Sequence, residues 1–298
     1  MQLKPLSEQV IVITGASSGI GLATAQAAAE AGAKLVLAAR SMETLDLICA
    51  DICDAGGSAV CVAADVASRE DVENIARTAI DEYGRIDTWV NNAGVSIYGK
   101  LLEVSEADSR RLFDTNFWGV VNGSLVALPH LERAGGALIN VGSEVSDAVV
   151  PLQGMYSASK HAVKGFTDAL RVEVEEVADC NVSITLIQPT AVDTPYPQHA
   201  RNYMDCEPKL PSPQIQPEQV ARAILDAATD PTRDVKVGMM AKINTMAAKL
   251  MPSIADKLSA LQADRQHYAE PPRNPEGALY QAGGMGMVHG TGGREART

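Results

Sequence analysis

The chain of 298 residues is 46% apolar but only 4% aromatic, so a sizeable core is expected, built from Ala, Val, Ile, Leu and Met. Its 25 basic side chains stand against 37 acidic ones, and the net charge of −12 repels a phosphate backbone and argues against nucleic acid as a partner. The opening MQLKPLSEQ lacks an apolar signal segment, and no apolar run reaches the roughly 18 residues of a membrane span, so a soluble cytoplasmic protein is expected.

Apolar runs of strand length alternate with helical patterns. VIVIT (10–14) reads as a strand, followed by a helix over IGLATAQAAAEAG that stops at Gly32. KLVLAA (34–39) is the second strand, METLDLICADICDAGG a helix with a glycine stop, and SAVCVAAD (58–65) the third strand. Ser68 and Asp71 have the spacing of a capping box for a helix running to Tyr83. TWVNNAG, a helix from about Glu106 to Leu131, GALINVGS, a helix from about Ser157 to Ala178, and VSITLIQP continue the alternation. The strands are continuous apolar runs, as in a parallel sheet covered on both faces. The expected class is α/β: a doubly wound parallel sheet of the Rossmann type, in three α/β/α layers with right-handed crossovers.

After Pro189 the sequence turns proline-rich and polar, too long for an ordinary connection, so residues about 190–216 are expected to form a substrate lid. Pro217 opens a helix with Val220, Ala223, Ile224 and Ala227 on one face, and DVKVG (234–238) is a short last strand. A single catalytic domain over 7–240 follows, with an amphipathic helical extension over 241–269. The extension carries Ile243, Met246, Ala247, Leu250, Ile254, Leu258 and Leu261 at helical spacing, interrupted by Pro252. That stripe reads as a packing face for the lid or a neighbouring subunit. Lys242, Lys249 and Lys257 also allow contact with a membrane surface, the lesser reading. Residues 270–298 are Gly- and Pro-rich with little apolar content and are expected to be a disordered tail. Cys49, Cys53, Cys61, Cys180 and Cys206 are too few and scattered for a disulfide framework, so all five are expected to be reduced, and no metal site is indicated.

TGASSGIG (14–21), between the first strand and its helix, is a phosphate-facing turn. Gly15 permits the tight turn, Gly19 close approach of a ligand to backbone, and Gly21 close packing of helix on strand. Ser17, Ser18 and Ile20 complete the loop, whose free N–H groups attract a pyrophosphate. No Lys follows the last glycine, so this is not an NTP-hydrolysing P-loop. The second strand ends in Ala39-Arg40-Ser41. An NAD-preferring fold places an acid there for the ribose 2′-hydroxyl, whereas a guanidinium suits a 2′-phosphate, so NADP(H) is favoured over NAD(H). Asp65-Val66 closes the third strand, where a carboxylate suits the adenine amino group, and Asn92-Ala93-Gly94 follows the fourth.

Tyr156 and Lys160 are four apart, so on a helix they share a face about 6 Å apart. A nearby ammonium favours the phenolate and lets the Tyr act as acid and base. Ser143 ends the fifth strand, at the sheet edge where α/β sites form, with its hydroxyl free to donate to a substrate oxygen. Asn116 sits mid-helix among apolar residues, where a buried amide needs a backbone or water partner. Each feature has a plain structural reading: a surface Tyr–Lys pair, a polar helix residue, a turn cap. Together, in order behind the glycine turn, they point to catalysis.

These residues resemble the short-chain dehydrogenase/reductase superfamily in its shorter, single-domain branch. The matching stretches are TGASSGIG, Arg40, Asp65, NNAG, Asn116, Ser143, YSASK and PTAVDTP. The resemblance implies that Tyr156 is the acid/base, that Lys160 lowers its pKa and binds the nicotinamide ribose, that Ser143 orients the substrate oxygen, and that Asn116 holds a water linking Lys160 to a proton relay. It also implies that Pro189, Val192 and Thr194 lie against the nicotinamide, and that the protein is a homodimer or homotetramer. Thr190 stands where the family usually has Gly, and Ser17-Ser18 where some NADP-binding members carry a basic residue, so NADP preference rests on Arg40. Hydride exchange with an apolar carbonyl or secondary alcohol is the expected reaction. The alternatives are a non-catalytic NADP(H)-binding redox sensor, and an epimerase or dehydratase using the same Tyr–Lys pair. Ser96, Ile97, Tyr98, the stretch Val145 to Met155 with Gln153, and Tyr196 to Met204 with His199 and Arg201 are the candidate substrate contacts.

Overall fold

The computed structural model describes residues 2–283 and 286–290. Within them the strands are β1 (Val10–Thr14), β2 (Lys34–Ala39), β3 (Ser58–Ala63), β4 (Thr88–Asn91), β5 (Ile97–Tyr98), β6 (Gly136–Val141), β7 (Val182–Pro189), β8 (Arg201–Asn202) and β9 (Asp234–Val237). Seven of these form one parallel sheet in the order β3-β2-β1-β4-β6-β7-β9, and the two-residue β5 and β8 pair separately. The chain order reverses between β1 and β4, and a crevice opens there beyond the strands' carboxyl ends.

The helices are α1 (Gly19–Glu30), α2 (Met42–Asp54), α3 (Arg69–Tyr83), α4 (Glu106–Phe113), α5 (Gly119–Ala134), α6 (Gly154–Arg171), α7 (Tyr196–His199), α8 (Pro217–Ala227), α9 (Met239–Leu250) and α10 (Pro252–Ala260). They cover both faces of the sheet, as the continuous apolar strands predict. Ile11 and Ile13 of β1 point into a core shared with α1, α2 and α8, while Val12 between them points into the core shared with α3 and α5. A polar line crosses this interior. Asn91 donates to Asn140 at 2.9 Å and accepts from the Trp89 indole at 2.8 Å, and Asn140 donates to Thr167 at 2.9 Å.

Several local expectations are corrected. The two long helices each contain a π-helical turn, at Asp114–Trp118 between α4 and α5 and at Val172–Val177 after α6. Ser68 does cap α3, but Asp71 returns to the Ser68 hydroxyl and to the Asp65 N–H rather than to the Ser68 N–H. Cys49 and Cys61, expected to be reduced, form a disulfide between α2 and β3. The break at Pro252 divides the C-terminal extension into α9 and α10, with Pro252 in the first turn of α10. Their apolar stripe stands exposed in the single chain: Ile243 is 50%, Met246 62% and Leu250 72% accessible. Among the described residues no helix is long and apolar enough to cross a membrane.

The expectation of a disordered tail also fails for residues 270–283 and 286–290; residues 284, 285 and 291–298 lie outside the described residues. Ala278 and Leu279 are buried, Val288 packs against the core on the α1 side, and Asn202 N–H donates to Pro275 C=O at 2.8 Å. A reading of composition counts side chains, whereas this segment is held largely by its backbone.

Candidate active site

The crevice is a cleft of about 500 Å³ whose floor is the glycine turn. Thr14 Oγ1 accepts from the N–H groups of Asn92 (3.1 Å) and Ala93 (3.2 Å), and the Asn92 amide donates to Thr14 C=O and Gly15 C=O at 3.0 and 3.2 Å. Asn92 and Ala93 thus tie the end of β4 to the turn. Gly15 lies at φ +66, and a Cβ there would sit 2.7 Å from Ala93 Cα. A Cβ on Gly21 would lie 2.1 Å from Gly15 C=O, so α1 rests on the turn only because position 21 has no side chain. Ser18 precedes α1 without capping it through its side chain, leaving the helix's amino end to other acceptors.

Ser17, Ile20, Arg40, Asp65, Val66, Gly94, Pro189, Val192 and Thr194 line the cleft, with Thr194 directly against Gly19. The Asp65 carboxylate pairs with Arg111 of α4, a cation the sequence reading missed. Arg40 donates to the main-chain carbonyls of Ala278 and Leu279 and, among the described residues, makes no salt bridge, although the Asp65 charge acts on it. The amino end of α1 and the Arg40 guanidinium therefore present donors whose hydrogen-bond partners are neutral carbonyls, and anionic phosphates fit both.

At the deep end β6 delivers Ser143, and α6 presents Tyr156 and Lys160 one turn apart. The Ser143 hydroxyl accepts from Val145 N–H at 3.3 Å and lies near enough to Tyr156 to draw its pKa down, and the Lys160 ammonium lies 5.7 Å from the Tyr156 ring centroid. Lys160 Nζ donates to Val141 C=O at 2.9 Å. Burial pushes the Tyr156 phenol above its usual range; hydrogen bonds with Ser143 and Tyr196 oppose this, and the Glu144 charge adds to it. Burial also draws Lys160 down to about 8. The direction of the phenol's shift is thus set by burial and runs opposite to the lowering expected from Lys160.

Asn116 lies behind the cleft wall in the first π-helical turn. It accepts from Val95 N–H at 2.8 Å and donates to Val95 C=O at 2.9 Å and to Ser159 Oγ at 3.1 Å. Gly94 lies beside both Asn116 and Lys160: a Cβ there would make ordinary van der Waals contact with Asn116 Oδ1 at 3.5 Å and Lys160 Nζ at 3.8 Å. Glu144, beside Ser143, was not foreseen. Burial raises its pKa against hydrogen bonds from Asn244 of α9 and from Thr190.

The outer end of the cleft is mixed: Val145, Val149, Leu210 and Pro211 with Ala247, Ala248 and Ala255 of the C-terminal helices supply alkyl surface, and Asp256, Ser259 and Gln262 add polar groups. Tyr196 and Gln153 reach it together, the phenol donating to Gln153 Oε1 at 2.9 Å. Arg201, a candidate substrate contact, instead binds Asp108 at 3.0 Å and Glu276 outside the cleft. Tyr98 is fully buried and Ile97 packs beneath the site. His199 lies on the cofactor-facing side, where burial and then the Arg40 charge lower its pKa.

A family model described as short chain dehydrogenase matches residues 9–204. An uncharacterized oxidoreductase, YxnA, of Bacillus subtilis (strain 168) is 48% identical over 288 residues, 95% of this chain and 81% of the relative. A short chain dehydrogenase/reductase from Burkholderia phymatum, solved with NAD, superposes with a TM-score of 0.73 at 26% identity, covering 91% of this chain and 99% of the other. A short chain dehydrogenase from Burkholderia cenocepacia J2315, solved with NADP, gives 0.70 at 27% identity, over 88% and 98% of the two chains.

Proposed function

The chain belongs to the short-chain dehydrogenase family, and from that premise we propose that it is an NADP(H)-dependent oxidoreductase of an apolar ketone or secondary alcohol. Membership makes it an oxidoreductase of CH–OH-type substrates that uses a nicotinamide cofactor. The observation that carries the finer reading is the neighbouring Ser143 and Tyr156 with the Lys160 ammonium beside the phenol, in a cleft that also holds Arg40 and a helix terminus with no side-chain cap.

Gly19, Ile20, Ser17 and Ser18 hold the pyrophosphate, Arg40 the 2′-phosphate, Asp65 and Val66 the adenine side, and Asn92, Ala93 and Gly94 the middle of the dinucleotide. Pro189, Val192 and Thr194 face the nicotinamide. When bound, the nicotinamide supplies or accepts the hydride. In the reductive direction Tyr156 gives its proton to the substrate oxygen while Ser143 donates a hydrogen bond to it. Lys160, held by Val141 C=O, then stabilises the phenolate left behind through its charge, and Asn116 fixes the Val95 backbone and the Ser159 hydroxyl beside it. The alkyl side chains of Val145, Val149 and Leu210 and the acidic Asp256 at the outer end favour a hydrocarbon-rich substrate over an anionic one. Cytoplasmic location, a homodimer or homotetramer, and the division into a domain over 7–240 and an extension over 241–269 belong to the same proposal.

Replacing Tyr156 with Phe tests it. Positioned acid–base groups contribute about 10²–10⁴-fold, so NADPH oxidation against a carbonyl panel should fall at least about a hundredfold. NADPH binding, followed by its fluorescence, should change less than about twofold. Full turnover in the variant removes Tyr156 from the mechanism. Tight binding without turnover by the unaltered chain on every carbonyl and alcohol favours the sensor.

A further inference from the structure

The C-terminal segment occupies the donors assigned above to the cofactor's phosphates. The Gly19 N–H, the first amide of α1, donates to Met287 C=O at 2.9 Å. Arg40 donates to Leu279 C=O at 3.2 Å and to Ala278 C=O, and Arg111 reaches the same Leu279 carbonyl at 3.2 Å. Contacts away from those donors anchor the segment at both ends. The Ala278 N–H donates to His199 C=O at 2.7 Å and the Tyr280 hydroxyl to Asp108 at 2.8 Å. Beyond, the His289 ring lies 3.3 Å from Asp193 and 3.0 Å from Glu218. Gly277, at φ +57, packs so closely that a Cβ would lie 2.4 Å from Ala200 C=O.

The acceptors are neutral carbonyls, whereas the donors are a guanidinium and a helix amino terminus. A phosphate oxygen on the Gly19 N–H makes a charge-assisted bond about twice as strong as a neutral one, and on Arg40 it adds ion pairing and a bidentate fit that a carbonyl lacks. The single Gly19 hydrogen cannot serve both a carbonyl and a pyrophosphate oxygen in full.

Resting on the cofactor reading above, we propose that the strap formed by residues 277–283 and 286–290 is a self-ligand of the dinucleotide site. The carbonyls of Ala278, Leu279 and Met287 stand in for phosphate oxygens and are released when NADP(H) binds. The strap lowers apparent affinity by the fraction of molecules in which it is closed, and occupancy of the cleft is reported as a freed C-terminus.

The test compares the full chain with a chain ending at Glu276, by NADPH fluorescence titration and stopped-flow mixing. Truncation should tighten binding at least about fivefold and raise the association rate. Because it also uncovers the core beneath Leu279 and Val288, a full-length Gly277→Val variant, which cannot keep the close turn, should tighten binding in the same direction. Separately, NADP⁺ should speed chymotryptic cleavage of the full chain at Tyr280 at least about threefold. Weaker binding on truncation, together with protection of Tyr280 by NADP⁺, overturns the proposal and makes the strap a cover over bound cofactor. Unchanged affinity and unchanged cleavage, with NADPH still binding, overturn the strap alone and leave the cofactor reading standing. Absence of NADPH binding by the full chain and both variants overturns the two together.

Discussion

Arg40 follows β2 and makes no salt bridge among the described residues; its fork is satisfied by two neutral carbonyls. Removing it and placing a carboxylate at the same position, Arg40→Asp, deletes the charge that meets a 2′-phosphate and offers an acceptor to a ribose 2′-hydroxyl. Hydrogen bonds to charged groups contribute about 1.5–3 kcal/mol, and every 1.4 kcal/mol is roughly tenfold in affinity. The ratio of NADH to NADPH dissociation constants should therefore fall by at least about tenfold, read by fluorescence titration of each nucleotide; an unchanged ratio would remove Arg40 from cofactor choice. Single residues of this kind were legible because their chemistry is local to a motif. Tyr156 and Lys160 need only helical spacing to meet, and Ser143 only its place at a strand end. Glu144, Arg111 and Asn244 were not legible, because each acts through a partner from another element: Glu144 meets Asn244 100 positions away, and Arg111 meets Asp65 46 positions away. No spacing rule encodes such meetings.

At the scale of elements, the fit of α1 on β1 depends on what position 21 lacks. A Cβ at Gly21 meets Gly15 C=O at 2.1 Å and the Asn92 amide at 2.6 Å, so Gly21→Ala must lift the helix off the turn. Forcing atoms into a packed interior costs about 1–3 kcal/mol. The variant should melt several degrees lower and bind NADPH more weakly. Gly165 of α6 is the control: a Cβ there meets nothing within 4 Å, and Ala is favoured over Gly in a helix by roughly 0.5–1 kcal/mol, so Gly165→Ala should melt no lower than the parent. A Gly21→Ala melting point equal to the parent's would show that the helix can shift without loss. The strands and most helices were readable because burial on both faces writes continuous apolar runs, and because Gly and Pro mark the ends. The π-helical turn that holds Asn116 was not, since such single turns inside α-helices are rare and no residue type marks them as Gly and Pro mark helix ends. The disulfide joins cysteines brought together by the packing of α2 beside β3, a contact invisible to a count of spacings. The strap escaped notice because main-chain groups and bare glycines hold it, and neither registers as hydrophobicity.

For the whole molecule, Lys160 links the site to the stability of the fold. It is 4% exposed, and burial lowers its pKa from 10.5 to about 8, so the folded chain gives up this proton more readily than the unfolded chain. Between about 8 and 10.5 the unfolded state binds the extra proton, and stability rises with pH. The contribution is complete above about 10.5 and is lost as pH falls through about 8, so at neutral pH the fold carries the full penalty of a buried ammonium. Each tenfold change in proton affinity is worth about 1.36 kcal/mol, which makes that penalty on the order of 3 kcal/mol. Lys160→Met removes the charge and keeps most of the volume. It should unfold at higher denaturant concentration than the parent at pH 7, and this advantage should shrink steadily toward pH 10.5 as the parent's lysine loses its charge. Taking the difference between the two chains cancels other groups that titrate over the same range. An advantage that is constant with pH would mean that the ammonium is solvated in the folded state. The same substitution should abolish turnover, and in the parent a rate that needs the charged form should decline above about pH 8. The stability penalty and the catalytic gain then have one origin, a cation held out of water beside the phenol.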